Sequence, residues 1–224
     1  AIDADALRRA VASPDAGARG RAVREAERLN RFQTLLGCAA ALVYLAGNDW
    51  FIRVWLGKDL HAPLSWQAVF ALTLAVQAGG QVGLELSLRC CDAGIRVGGI
   101  AIAATTLCNV VLSVVATKLG SIFGIALSTV ICFSVLLLGL GWYACRQMKA
   151  SWWRLSLKNW LLALATAGLG IIMRVYLPVN SALTAGITAG VFLIAVLLVA
   201  FLLGIRINDL REEFAILRGM FGKR

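Results

Sequence analysis

The chain has 224 residues, of which 60% are apolar and 15% charged, with a mean hydropathy of +0.80 and a formal net charge of +10. Soluble domains carry about 25% charged and about 45–50% apolar residues, so an ordinary soluble globule is excluded: a core of this size could not hide that much apolar surface. Disorder is excluded by the same excess, and the Lys and Arg lie mostly in short gaps between apolar runs rather than on one basic, aromatic-studded face, which excludes a nucleic-acid domain.

Residues 1–31 carry no basic n-region with a short apolar stretch and cleavage site, and the chain is expected to begin inside a longer protein. The segment breaks at Ser13-Pro14-Asp15-Ala16-Gly17 and resumes with Arg21/Glu25 and Glu27/Arg31, each pair four apart. That spacing predicts a solvated cytoplasmic linker helix that leads into the first span. A helix needs about 20 apolar residues to cross a hydrocarbon core about 30 Å thick. Six stretches meet this, at 32–52, 64–88, 97–117, 121–144, 160–177 and 183–203, so residues 32–205 are expected to form a six-helix transmembrane lobe. The gaps hold the expected breakers: Gly57 and Pro63, Asp92 and Gly94, Gly120, then Pro178 and Asn180.

Polar residues inside these spans are the informative ones, because they are costly in lipid and face a bundle interior or a wet cavity. In the first span, Asp49 and Arg53 are four apart at one end and form a possible outer gate, or a surface ion pair of little worth. In the second, Thr73, Gln77, Gln81, Glu85 and Arg89 recur every four residues and trace one slowly rotating stripe. Such a stripe suits a water-filled cavity that hydrogen-bonds sugar hydroxyls; the competing reading is helix packing, at about 0.6 kcal/mol per contact. In the third span Thr105, Thr106, Asn109 and Ser113 are read mainly as packing, with Asn109 kept as a cavity candidate. Gly79/Gly83, Gly120/Gly124 and Gly186/Gly190 are small-xxx-small pairs that let helices approach closely. After the sixth span, residues 206–224 place Ile207, Leu210, Phe214, Leu217 and Phe221 at spacings of three and four, which predicts an amphipathic tail helix on the cytoplasmic membrane face.

Basic residues orient the lobe. With both ends on one side, all of the 22 Lys and Arg except Arg53, Lys58, Lys118 and Arg174 fall on that side, so both termini are expected to be cytoplasmic. Trp50, Trp55 and Trp66 then gather at the outer rim and Trp142, Trp152, Trp153 and Trp160 at the inner one, as interfacial belts do. The six cysteines, Cys38, Cys90, Cys91, Cys108, Cys132 and Cys145, have no CxxC spacing and one histidine, His61, accompanies them. They are read as small buried apolar side chains, with no metal site and no disulfide framework. Hydrolase, zincin and phosphate-loop motifs are missing, and neither a catalytic residue nor a cofactor is expected.

Two passages resemble bacterial polysaccharide flippases of the multidrug/oligosaccharidyl-lipid/polysaccharide exporter superfamily. Phe51-Ile52-Arg53-Val54-Trp55-Leu56-Gly57 is similar to that family's "LWLG" helix end, with Val54 in place of the first Leu. Cys108-Asn109-Val110-Val111-Leu112-Ser113, followed by residues 118–129 with Gly120, Gly124, Ala126, Ser128 and Thr129, resembles its "NxxLS…G..G.A.ST" passage. The resemblance covers the chain as the C-terminal half of an O-antigen or exopolysaccharide flippase. It implies two six-helix lobes around a central cavity, bordered by the first two helices of each lobe. Its implied activity is movement of a polyprenyl-diphosphate-linked oligosaccharide across the bacterial cytoplasmic membrane, with a missing N-terminal lobe as partner. A multidrug or cation antiporter of the same superfamily is the nearest alternative. A permease domain served by a separate ATPase would need a long cytoplasmic coupling loop, and a glycosyltransferase would need clustered carboxylates at a membrane face.

Overall fold

The structure, a computed structural model, describes residue 9 and residues 15–56, 63–90, 93–176 and 182–205. Among these every regular element is helical: α1 (Ala16–Leu56), α2 (Leu64–Cys90), α3 (Gly94–Lys118), α4 (Ile122–Met148), α5 (Lys158–Tyr176) and α6 (Ala182–Leu203), with a π-helical turn, Trp153–Leu157, running into α5. A helix satisfies its own backbone hydrogen bonds, which is what a chain this apolar requires in lipid. Five of the helices are long and apolar enough to cross a membrane, and α6 contributes the shorter apolar stretch Gly190–Leu203. Large apolar side chains such as Val43, Ile100, Leu107 and Phe201 stand exposed on the outside, as the lipid-facing surface of a multi-pass membrane protein requires.

Local chemistry sets the element ends. The Asp15 carboxylate accepts from the backbone N–H groups of Gly17 at 2.8 Å and Ala18 at 3.1 Å, so Asp15 is the N-cap of α1. Ser121 caps α4 in the same way, accepting from Gly124 N–H at 3.0 Å. Gly120, at φ +71°, makes the left-handed turn between α3 and α4 that a side chain would strain.

The predicted linker and first span form one uninterrupted helix of 41 residues, about 60 Å long at 1.5 Å per residue. Its first half is solvated on one face only. Arg21, Arg24 and Glu25 are exposed, whereas Ala22 and Ala26 are buried in a cluster with Val82, Leu86, Ala144, Met148 and Leu155. Alanines four apart mark a packing face as well as any Leu would, but they carry little signal in a charged segment.

The second cluster holds the lobe together farther along. Leu35, Cys38, Leu42 and Leu45 of α1 meet Ala71 and Ala75 of α2, Ala163 and Ala167 of α5, and Phe192 and Val199 of α6. Helix α2 is the central post, in contact with α1, α3, α4 and α5. Its glycines permit this: a Cβ at Gly83 would lie 2.8 Å from Gly141 Cα, and one at Gly79 would lie 3.2 Å from Trp160 Cα. The pair Gly79/Gly83 thus fits two partners, α5 and α4.

Helix α3 is peripheral, with Gly94 and Gly98 as its buried residues. One expectation fails there: Cys38, Cys132 and Cys145 are buried, but Cys108 is exposed. The reason is that, among the described residues, α3 packs chiefly against α2 and α4, and most of its apolar side chains are exposed. The tail helix (206–224), His61 and the side chains of Cys90 and Cys91 lie outside the described residues.

Candidate functional site

The helical period sorts α2 into two faces. Val76 and Leu86 are buried at 1% and 2% exposure, and Leu72 packs against the core. Gln77 and Arg89 are exposed, and Gln81 and Glu85 half-buried, on the opposite side. The stripe read from the spacing therefore points away from the packed interior of this lobe. Thr73 is the exception in kind, since its hydroxyl donates to the Val69 carbonyl of its own helix at 2.8 Å.

Gln77 and Gln81 line an open groove of about 430 Å³ between α1 and α2. Its floor is made where the two helices approach closely, because a Cβ on Gly37 would come within 2.0 Å of Ala78 Cβ. Small residues at the crossing leave the longer side chains standing as walls: Gln77 and Gln81 on α2, and Gln33 and Leu36 on α1. Sequence reasoning missed Gln33, which stands at the very start of the first span and belongs to no four-residue series. Its Oε1 is buried with no hydrogen-bond partner among the described residues. The groove thus offers three carboxamides, which both donate and accept hydrogen bonds, beside apolar walls. A hydroxyl-rich ligand needs such groups, and hydrocarbon does not tolerate them well: an unsatisfied amide costs roughly 2–7 kcal/mol on transfer from water.

At the end of the stripe, Arg89 Nε lies 2.6 Å from a Glu85 carboxylate oxygen, as the i,i+4 spacing predicts. Arg89 is exposed and Glu85 partly so, and the pair contributes little to stability. Asn109 is occupied elsewhere. Its Oδ1 accepts from Ser128 Oγ at 3.0 Å and Thr129 Oγ1 at 3.3 Å, and Ser128 Oγ is also 3.1 Å from Ser113 Oγ. These contacts tie α3 to α4 and fit the packing reading of that span. Asp49 and Arg53 lie one turn apart in α1, and their side chains are outside the described residues. Among the described residues no three His, Cys, Asp or Glu side chains gather as metal ligands.

A second polar region forms where the first half of α1 meets the π-helical turn. Glu27 is 7% exposed, and its Oε2 is 3.5 Å from Arg31 and 3.4 Å from Arg154. The Arg31 contact follows the predicted pair; Arg154 is 127 residues away in sequence and carried no signal. Beside it the side-chain amides of Asn30 and Asn159 both donate to the Leu155 carbonyl. Two side chains serving one carbonyl help hold a π-helical turn, whose hydrogen bonds are displaced from the α pattern.

No protein-family model, curated protein or solved structure matches the chain.

Proposed function

We propose that the chain forms one lobe of a transporter that carries a polyprenyl-diphosphate-linked oligosaccharide from the cytoplasmic to the outer leaflet of the bacterial cytoplasmic membrane by alternating access. The observation that carries the reading is the groove lined by Gln33, Gln77 and Gln81, which opens away from the lobe's own core between its first two long helices. Sugar hydroxyls would hydrogen-bond the carboxamides while the lipid stays in the bilayer. A second lobe would close the groove from the other side. The likeness of residues 51–57 and 108–129 to polysaccharide flippases points to the same activity. No catalytic step is assigned.

The antiporter reading shares the fold and differs in what it needs from the site. A cation or proton carrier requires a carboxylate free to exchange its charge, and in this stripe the one carboxylate, Glu85, is held by Arg89 at 2.6 Å. That pairing leaves the stripe without a free carboxylate and fits the hydroxyl-rich oligosaccharide portion of the cargo. Depleting the protein from its native cells is expected to trap the lipid-linked oligosaccharide on the cytoplasmic leaflet, measured by a membrane-impermeant lectin on spheroplasts. An unchanged leaflet distribution would refute the reading.

Both termini are proposed to be cytoplasmic, on the asymmetry of the basic residues. A single cysteine at position 59 should then be labelled from outside in spheroplasts, and cysteines at 93 and 150 only after permeabilisation. Labelling of position 150 from outside would reverse the orientation.

A further inference from the structure

We infer that the cavity between the first half of α1 and the π-helical turn is a phosphate-binding site, separate from the groove. It encloses about 240 Å³ and is lined by Arg24, Glu27, Arg28, Arg31, Phe32 and Arg154, with Gly204 and Ile205 at the end of α6. A second cavity of about 400 Å³ adjoins it, sharing Arg24, Glu27 and Arg154 and adding Arg19 and Lys149. Among the described residues that line the two cavities, Glu27 is the one carboxylate.

Among the described residues, Glu27 alone does not saturate the two arginines that it meets, Arg31 and Arg154. Glu27 meets Arg31 and Arg154 through a single oxygen at 3.4–3.5 Å, while each guanidinium carries five N–H donors in a planar fork. Most of those donors are left for something else. Arg31 is 32% exposed and Arg154 64% exposed, and both line the cavity; Arg24 is exposed as well. Gathering like charges at a membrane boundary is unfavourable unless an anion joins them, and the fork geometry matches phosphate oxygens two at a time.

Position decides the kind of phosphate. Arg31 is the last charged residue of α1 before a long uncharged run, and Phe32 opens that run. Helix α6 ends at Leu203, whose neighbour Leu202 gives its carbonyl to Lys158 Nζ at 2.9 Å. The cavity therefore straddles the step from polar to apolar surface, with Phe32 and Ile205 forming an apolar edge beside the arginines. Basic pockets between helices at this depth suit acidic phospholipid headgroups. The shared chemistry is a phosphate group, carried by such a lipid or free in solution.

The test uses the intact protein in detergent micelles, with phosphatidylglycerol, phosphatidylcholine and inorganic phosphate as probes. Native mass spectrometry reads the lipids, and calorimetry reads phosphate. Saturable binding of phosphatidylglycerol over phosphatidylcholine is expected, weakening with salt. Arg31→Gln and Arg154→Gln should each weaken it by about fivefold, whereas Arg96→Gln, an exposed arginine outside the cavity, should leave it unchanged. Glu27→Gln keeps the side chain's size and removes the competing anion, so it should tighten binding several-fold, a direction that misfolding cannot produce. The same order of variants with inorganic phosphate, and no preference for phosphatidylglycerol, would assign the site to free phosphate. Binding of neither probe, indifference to the arginine changes, or weakening by Glu27→Gln would overturn the site.

Discussion

Gln77→Cys, Gln81→Cys and Glu85→Cys, made singly in the complete transporter, are expected to react with a water-soluble thiol reagent, while Leu72→Cys, Val76→Cys and Leu86→Cys stay unreactive. The first three stand on the outward side of α2 and the others pack inward, so a wet groove and a lipid-covered face give opposite results at positions one turn apart. Transport should follow. A hydrogen bond to a ligand is worth about 0.5–1.5 kcal/mol net, so Gln81→Leu should slow transport by about two- to twelvefold. Gln77→Leu combined with Gln81→Leu should slow it about tenfold or more. Neither change should lower the amount of folded protein, because neither side chain is buried in the core. A packing role would reverse this: no reactivity, and loss of folded protein on substitution. Equal labelling of both sets would dismiss the groove whatever the transport data show.

Gly37→Ala is expected to destabilise the lobe by about 1–3 kcal/mol, the usual range for overpacking, read as a fall in melting temperature in detergent. The added methyl would sit 2.0 Å from Ala78 Cβ and 3.2 Å from the Leu74 carbonyl oxygen, so α1 and α2 must part. Gly139→Ala, where nothing lies within 4 Å of the new atom, should be neutral or slightly stabilising. Ala78→Gly combined with Gly37→Ala moves the methyl from one helix to the other and should recover most of the loss, as a coupled pair does. Additive losses in the double variant would mean that this contact does not set the α1–α2 distance.

Composition made the helices legible. A stretch such as 97–117 has no alternative to helix in lipid, and the structure places α3 there. The four-residue stripe on α2 was legible because its residues are polar among apolar neighbours, and its separation from Val76 and Leu86 is a direct product of the helical period. Three things were not. Gln33 shares the groove only because α1 crosses α2 at Gly37 and Ala78, a meeting that neither helix announces alone. Arg154 reaches Glu27 through the π-helical turn, an irregularity with no composition of its own. The inward face of Ala22 and Ala26 was hidden because alanine is compatible with either a solvated or a packed surface.

The unbroken length of α1 links the two polar regions mechanically. Arg24 to Phe32 belong to the arginine cavity and Gln33 to Ala40 to the groove, on successive turns of one helix that contains no proline. A lever of about 60 Å that turns by about 10° around its middle carries its ends about 5 Å in opposite directions. Whatever occupies the arginine cavity therefore grips the N-terminal arm, and the groove wall sits near the fulcrum. Fixing that arm limits the tilt available to the far end, so the two regions are joined by stiffness alone, without any chain of rearranging side chains between them.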